Sequence, residues 1–217
     1  MKTLFVAFGV CAVALAHANS FVDDFSSGAY SVTLSGLGSD SNSQNGTMLG
    51  GTRLTQFSID NNPYNQSATM SIDQNDANGN PEPGLFVDGG FGLSSTVELE
   101  YHGISGIPGA SGFAFDFLGT DQPLNVIMEV DSNSGFADAA LSVGANGNPF
   151  TLNFAPGQFS GAIDFSSISL IYVEFDTSAS GDFGLQDIRS TPEPASLAVL
   201  GLGAVGLLRR RYRSRAR

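Results

Sequence analysis

The sequence predicts an all-β protein: an antiparallel β-sandwich of jelly-roll-like topology, with an N-terminal signal helix before it and a single C-terminal transmembrane helix after it. Three observations carry this prediction. Between residues 19 and 190, short runs of β-branched and aromatic residues recur, each bounded by Gly, Asn, Asp, Ser or Pro. No stretch in that interval sustains a helical period over three turns. The apolar runs suited to helices lie at the two ends of the chain. About ten strands with turn signals every 8–12 residues point to a sandwich. The fixed-length repeat that a β-solenoid requires is missing. The interval, about 172 residues, is enough for one domain with a sizeable core.

Taken in order, Lys2 is a positive n-region, Leu4–Leu15 an apolar h-region, and Ala16-His17-Ala18 a small-x-small cleavage pattern. Cleavage after Ala18 makes Asn19 the new terminus and discards Cys11, the single cysteine. The mature domain then has no disulfide, thiolate metal site or cysteine nucleophile. Strands are expected at Tyr30–Leu34, Met48–Ile59, Ala68–Ile72, Leu85–Val87, Ser95–Tyr101, Gly112–Leu118, Leu124–Val130, Ala139–Val143, Phe150–Phe154, Ile168–Phe175 and Phe183–Ile188. Within Ser95–Tyr101, Val97, Leu99 and Tyr101 alternate with Thr96, Glu98 and Glu100, so one face points inward and the other to solvent. Ile168–Phe175 is apolar on both phases, which predicts a central strand covered on both sides. Ser35–Thr47 is low-complexity and polar and reads as a mobile loop. Phenylalanine occurs 17 times and tryptophan not at all, so Phe rings are the natural filling between two sheets.

Charge narrows the partners. Setting aside Glu193 leaves 20 of the 21 acidic residues in the domain, against Arg53 and Arg189 alone, a net of about −18. Such a surface repels nucleic acid and other polyanions. It suits cations and neutral partners.

The C-terminal stretch is different in kind. Thr191-Pro192-Glu193-Pro194 is followed by an apolar run, Ala195–Leu208, and then by six of the nine basic residues, beginning with Arg209, Arg210 and Arg211. As a helix the run is about 21 Å long, short of a roughly 30 Å hydrocarbon core. Bilayer thinning and arginine snorkelling cover the difference, with the arginines on the cytoplasmic side. Pro-Glu-Pro, a small-residue-rich apolar helix and a terminal arginine cluster resemble the PEP-CTERM sorting domain of exported bacterial proteins. The resemblance covers about the last 26 residues. It implies that Pro192, Glu193 and Pro194 form the recognition element. It further implies exosortase, a membrane-embedded cysteine peptidase or transpeptidase, as partner, after delivery through the Sec machinery and transient anchoring in the inner membrane. The final destination it implies is the cell surface or extracellular matrix, in association with exopolysaccharide.

Several residues are candidates for chemistry. Asp73, Asn75, Asp76, Asn78 and Gly79 resemble the front of a calcium-binding loop, with Glu82 as a further oxygen donor; a polar turn is the competing reading. Phe21-Val22-Asp23-Asp24-Phe25 and Leu185-Gln186-Asp187-Ile188-Arg189 resemble the first and last strands of secreted carbohydrate-binding jelly rolls. That resemblance implies that the two strands lie side by side and that Asp23, Asp24 and Asp187 hold a structural calcium. Glu98 and Glu100, about 7 Å apart along a strand, have the spacing of a glycosidase pair, but an exposed face of an acidic domain yields such pairs by chance. His102, the one histidine of the mature chain, reads as a strand-end residue. Tyr64, in Asn61-Asn62-Pro63-Tyr64, is the tyrosine best placed in a loop to stack on a sugar. The reading is therefore a noncatalytic, sorted surface protein, with a carbohydrate-binding module or polysaccharide-active enzyme as the alternative.

Overall fold

Period-two alternation sets the architecture. In the computed structural model, which describes residues 20–75 and 81–192, thirteen strands form two antiparallel sheets packed face to face. They are β1 (Phe21–Asp23), β2 (Tyr30–Leu34), β3 (Gly38–Asn45), β4 (Thr52–Asn61), β5 (Ala68–Asn75), β6 (Pro81–Gly89), β7 (Ser94–His102), β8 (Ala110–Thr120), β9 (Leu124–Ser132), β10 (Gly135–Val143), β11 (Phe150–Phe154), β12 (Leu170–Thr177) and β13 (Phe183–Pro192). The seven-stranded sheet runs β11-β8-β13-β6-β5-β2, with β1 also on β13; the six-stranded sheet runs β10-β9-β12-β7-β4-β3. Most connections cross from one sheet to the other, which makes the sandwich jelly-roll-like. β6 pairs with Phe183–Leu185 of β13, and β1 with Ile188 and Arg189 further along, so the first and last strands do lie side by side.

In β7, Val97, Leu99 and Tyr101 are buried while Thr96, Glu98 and Glu100 face outward, as the alternation predicts. Between the sheets the filling is largely phenylalanine. Phe115 packs on Phe154 (ring centroids 5.2 Å apart), Phe175 on Phe183 (5.3 Å), and Phe117 stacks on Phe150 (4.9 Å).

Three expectations need correction. Ser35–Thr47 is not a loop: Gly38–Asn45 pairs residue for residue with Thr52–Ile59 as the edge strand β3. Its backbone hydrogen bonds come from β4, and a polar edge deters pairing with other chains. The strand expected from Met48 starts at Thr52, because Met48–Gly51 is a turn closed by the Gly51 N–H on the Met48 carbonyl at 2.9 Å. β12 is central, between β9 and β7, but only Ile171, Val173, Phe175 and Thr177 are buried; Leu170, Tyr172, Glu174 and Asp176 face partly outward. The expected signal and transmembrane helices, with Ala16, Ala18, Asn19, Glu193, Pro194 and Arg209–Arg211, lie outside the described residues. Among the described residues no helix is long and apolar enough to cross a membrane.

Candidate functional site

Two outer faces and one buried cluster hold most of the polar chemistry of the sandwich. The first face belongs to the seven-stranded sheet. Phe86 of β6 points outward and is opposite Gly184 of β13. Its ring fills the space that side chains would otherwise take at two glycines: a Cβ at Gly84 would meet it at 2.9 Å, and one at Gly184 at 3.3 Å. The absent side chains therefore let an aromatic ring floor an open groove of about 580 Å³, within the usual range for small-ligand sites. Thr69, Ser71 and Asp88 line one side, and Leu118, Asp121 and Asp182 the other. Asp182 accepts from the Gly89 N–H at 2.6 Å, and Asp121 accepts from the Asp182 N–H at 2.7 Å, which ties the strand ends together. Burial pushes the Asp182 carboxyl up, with Asp121 and Asp88 adding to the rise against the Gly89 hydrogen bond. A ring floor with hydrogen-bonding rims can take the apolar face of a pyranose and its hydroxyl groups.

Tyr64 lies in the loop between β4 and β5 and is exposed, as the sequence predicts. It does not stand alone: its ring is 5.3 Å from that of Phe91, which is 71% exposed in the β6–β7 turn. Phe91 follows Asp88 by three residues, two beyond the end of the strand that carries Phe86.

The second face, on the six-stranded sheet, is acidic. Tyr172 is flanked across the strands by Glu100 and Glu129, and Glu174 by Glu98. The Tyr172 hydroxyl donates to Glu174 at 2.7 Å. Glu98 is pushed above the ordinary carboxylate range by burial, then by Glu174, Asp60 and Glu100, against a hydrogen bond from Tyr172. Glu129 is raised by burial, then by Asp138 and Glu174. Glu98 and Glu100 are thus two of several carboxylates on an open sheet surface. His102 ends β7, with Nε2 3.1 Å from Glu100.

These shifts make a pH prediction. A carboxylate whose folded pKa is raised holds its proton more readily folded than unfolded, so stability falls as pH rises from the ordinary carboxylate value through the raised one. Asp182 and Asp187 shift the same way. Asp164, lowered by the Ser166 and Ser167 hydroxyls, acts only below the ordinary value. The melting temperature is therefore expected to fall as the pH rises from about 4 towards neutrality, and added salt should restore part of the loss at neutral pH. A flat profile over that range would contradict the assignment.

The buried cluster surrounds Arg53, which is 0% exposed on the inward phase of β4. Its guanidinium lies in an all-oxygen cage. Nη1 donates to Asp23 Oδ2, Nη2 to the Gly28 carbonyl at 2.8 Å, and Nε to Gln44 Oε1 and Thr55 Oγ1, both at 3.2 Å. The Tyr101 hydroxyl and the Phe25 N–H also donate to Asp23, at 3.1 and 2.8 Å. The Phe25 ring lies 5.5 Å from the guanidinium carbon. Gly28, at φ +69°, leaves room for this approach, since a Cβ there would meet Gln44 at 2.8 Å and Arg53 at 3.1 Å.

The acidic residues expected to bind calcium are placed as follows. Asp23 is paired with Arg53, and Asp187 with Arg189, which also pairs with Asp116. Asp24 accepts from the Ser26 N–H at 3.0 Å and hydroxyl at 2.6 Å. Asp73 and Asn75 fall in β5, while Asp76, Asn78 and Gly79 lie outside the described residues. Among the described residues no group of three or more His, Cys, Asp or Glu side chains is placed to hold an ion. At Asp23 the cation is the protein's own.

Pro192, the first residue of the expected recognition element, ends β13, opposite Ala110. From Ser190 to residue 213 the chain matches the PEP-CTERM protein-sorting motif. The protein is thereby an exported one that carries an exosortase sorting signal. No curated protein matches the chain. Among solved structures it is similar to the family 11 carbohydrate-binding module of the cellulosomal cellulase Lic26A-Cel5E of Clostridium thermocellum (12% identity, 81% of this chain and 95% of that one, TM-score 0.43). A solution structure of CtCBM11 gives 14% identity over 83% and 99% of the two chains, TM-score 0.44. TmCBM61 in complex with β-1,4-galactotriose gives 15% identity over 64% and 88%, TM-score 0.37.

Proposed function

We propose that this protein is a noncatalytic surface or matrix component whose sandwich holds a neutral glycan chain, in association with exopolysaccharide, after Sec export, transient anchoring in the inner membrane and exosortase processing. One observation carries the glycan reading: the groove on the seven-stranded sheet, floored by Phe86 over Gly84 and Gly184 and rimmed by Ser71, Asp88 and Asp182. The acidic balance of the domain favours neutral over anionic polymers. A noncatalytic role is supported by the rim carboxylates Asp121 and Asp182, each of which fastens a backbone N–H. Tyr64, with Phe91, is proposed as a further stacking contact.

Affinity electrophoresis through gels containing neutral polysaccharides tests this. The wild-type domain is expected to be retarded by at least one of them, and Phe86→Ala to weaken the interaction by about tenfold or more. Equal retardation of the two proteins would remove the groove from the account.

A further inference from the structure

The sorting motif does not begin beyond the folded domain. Ser190 is buried in β13 opposite Phe113, Thr191 is opposite Gly112, and Pro192 opposite Ala110. The Pro192 carbonyl accepts from the Ser111 hydroxyl at 3.1 Å. Ser190 in turn donates its N–H (2.9 Å) and its hydroxyl (3.2 Å) to the carbonyl of Ser20, so the start of the mature chain lies at the same end. Only Glu193 and Pro194 separate Pro192 from the apolar run that starts at Ala195. At no more than about 3.6 Å per residue, three steps of chain keep Pro192 within about 11 Å of the first residue of that run, the expected membrane segment.

Two shallow hollows meet at Pro192. One, about 240 Å³, is lined by Ile107, Pro108 and Ala110; the other, about 460 Å³, by Phe113, Asn153, Ala155 and Pro156. Both are lined chiefly by apolar side chains, and Pro108, Ala155 and Pro156 are exposed.

We propose that this end of the sandwich, around Pro192, is a docking surface for the membrane-embedded sorting enzyme, which therefore reads a folded substrate as well as a linear motif. The proposal rests on the sorting reading and adds a surface to it. An enzyme that engages Pro192-Glu193-Pro194 has no spacer in which to avoid the domain. To free Ser190–Pro192 instead, it would have to break the pairing with β8 and the contact with Ser20. Fitting the apolar hollows avoids that cost.

The test follows the full-length chain in exosortase-containing cells, measuring by pulse-chase the conversion of precursor to processed protein. Two variants probe the surface: a ten-residue Gly-Ser spacer between Thr191 and Pro192, and the paired substitutions Pro108→Glu and Ala155→Glu, which touch only exposed positions. Proteinase K resistance of the ectodomain reports folding. Replacing Pro192, Glu193 and Pro194 together by Ala is the control for the motif, and is expected to abolish conversion. Both surface variants are expected to slow conversion at least about fivefold with the ectodomain still resistant. Should the spacer loosen the sandwich, the paired substitution decides. Conversion of that variant at the wild-type rate overturns the docking surface while leaving the motif reading intact. Normal conversion of the alanine control overturns both.

Discussion

Arg53→Met is expected to destabilise the domain by about 3–5 kcal/mol, the cost of leaving one member of a buried ion pair uncompensated. The substitution removes the cation from a cage of four oxygen acceptors, and Asp23, 1% exposed, is left with a charge and no counterion. The Gly28 carbonyl and Gln44 lose donors in the same step. Burial is already the largest influence on Asp23 and pushes its carboxyl up, against the pull of Arg53. Without the guanidinium only the hydrogen bonds from the Phe25 N–H and the Tyr101 hydroxyl oppose burial, so the deficit should shrink as the pH falls and Asp23 takes up a proton. Adding Asp23→Asn to Arg53→Met should recover part of the loss at neutral pH. Urea unfolding of the three proteins measures this directly. An Arg53→Met domain within about 1 kcal/mol of wild type would contradict the role given to the cage.

Phe175→Ala should be comparably severe, about 3–5 kcal/mol. Phe175 projects from β12 of one sheet against Phe115, Phe117 and Phe183 of the other, with ring centroids 6.2, 6.2 and 5.3 Å away. It is fully buried. Its removal opens a cavity at the centre of the inter-sheet packing, where strands on both sides limit collapse. For a domain of this size each kcal/mol moves the melting temperature by about 2–4 °C, so thermal unfolding should report a loss near 10 °C. A loss of only a degree or two would place the load of the core elsewhere.

The strands were legible because their apolar residues alternate against polar ones. The bounds Tyr30–Leu34 and Phe150–Phe154 agree with the structure residue for residue. β3 was not legible, since its residues Gly-Ser-Asp-Ser-Asn-Ser-Gln-Asn carry no apolar phase and its order comes from backbone pairing with β4. Asp23 is recognisable in the sequence as an acid on the first strand, but its partner Arg53 is not. The available signal was the phase of β4, where Arg53, Thr55, Phe57 and Ile59 share the inward face. Tyr64 was readable from its loop, whereas Phe91 beside it depends on two loops meeting. The groove was the least readable feature. Phe86 and Gly184 become neighbours only through the pairing of β6 with β13, and no local window of sequence contains both. The sorting signal lies in one contiguous stretch, which is why sequence alone reached it.

The most direct test of the glycan-binding reading is an NMR titration of the domain with an oligosaccharide of whichever neutral polymer retards it. Backbone amide shifts are expected to concentrate at Thr69, Ser71, Phe86, Asp88, Asp182 and Gly184, with a smaller set around Tyr64 and Phe91. Shifts centred instead on Glu98, Glu129 and Tyr172, or none at saturating ligand, would contradict it.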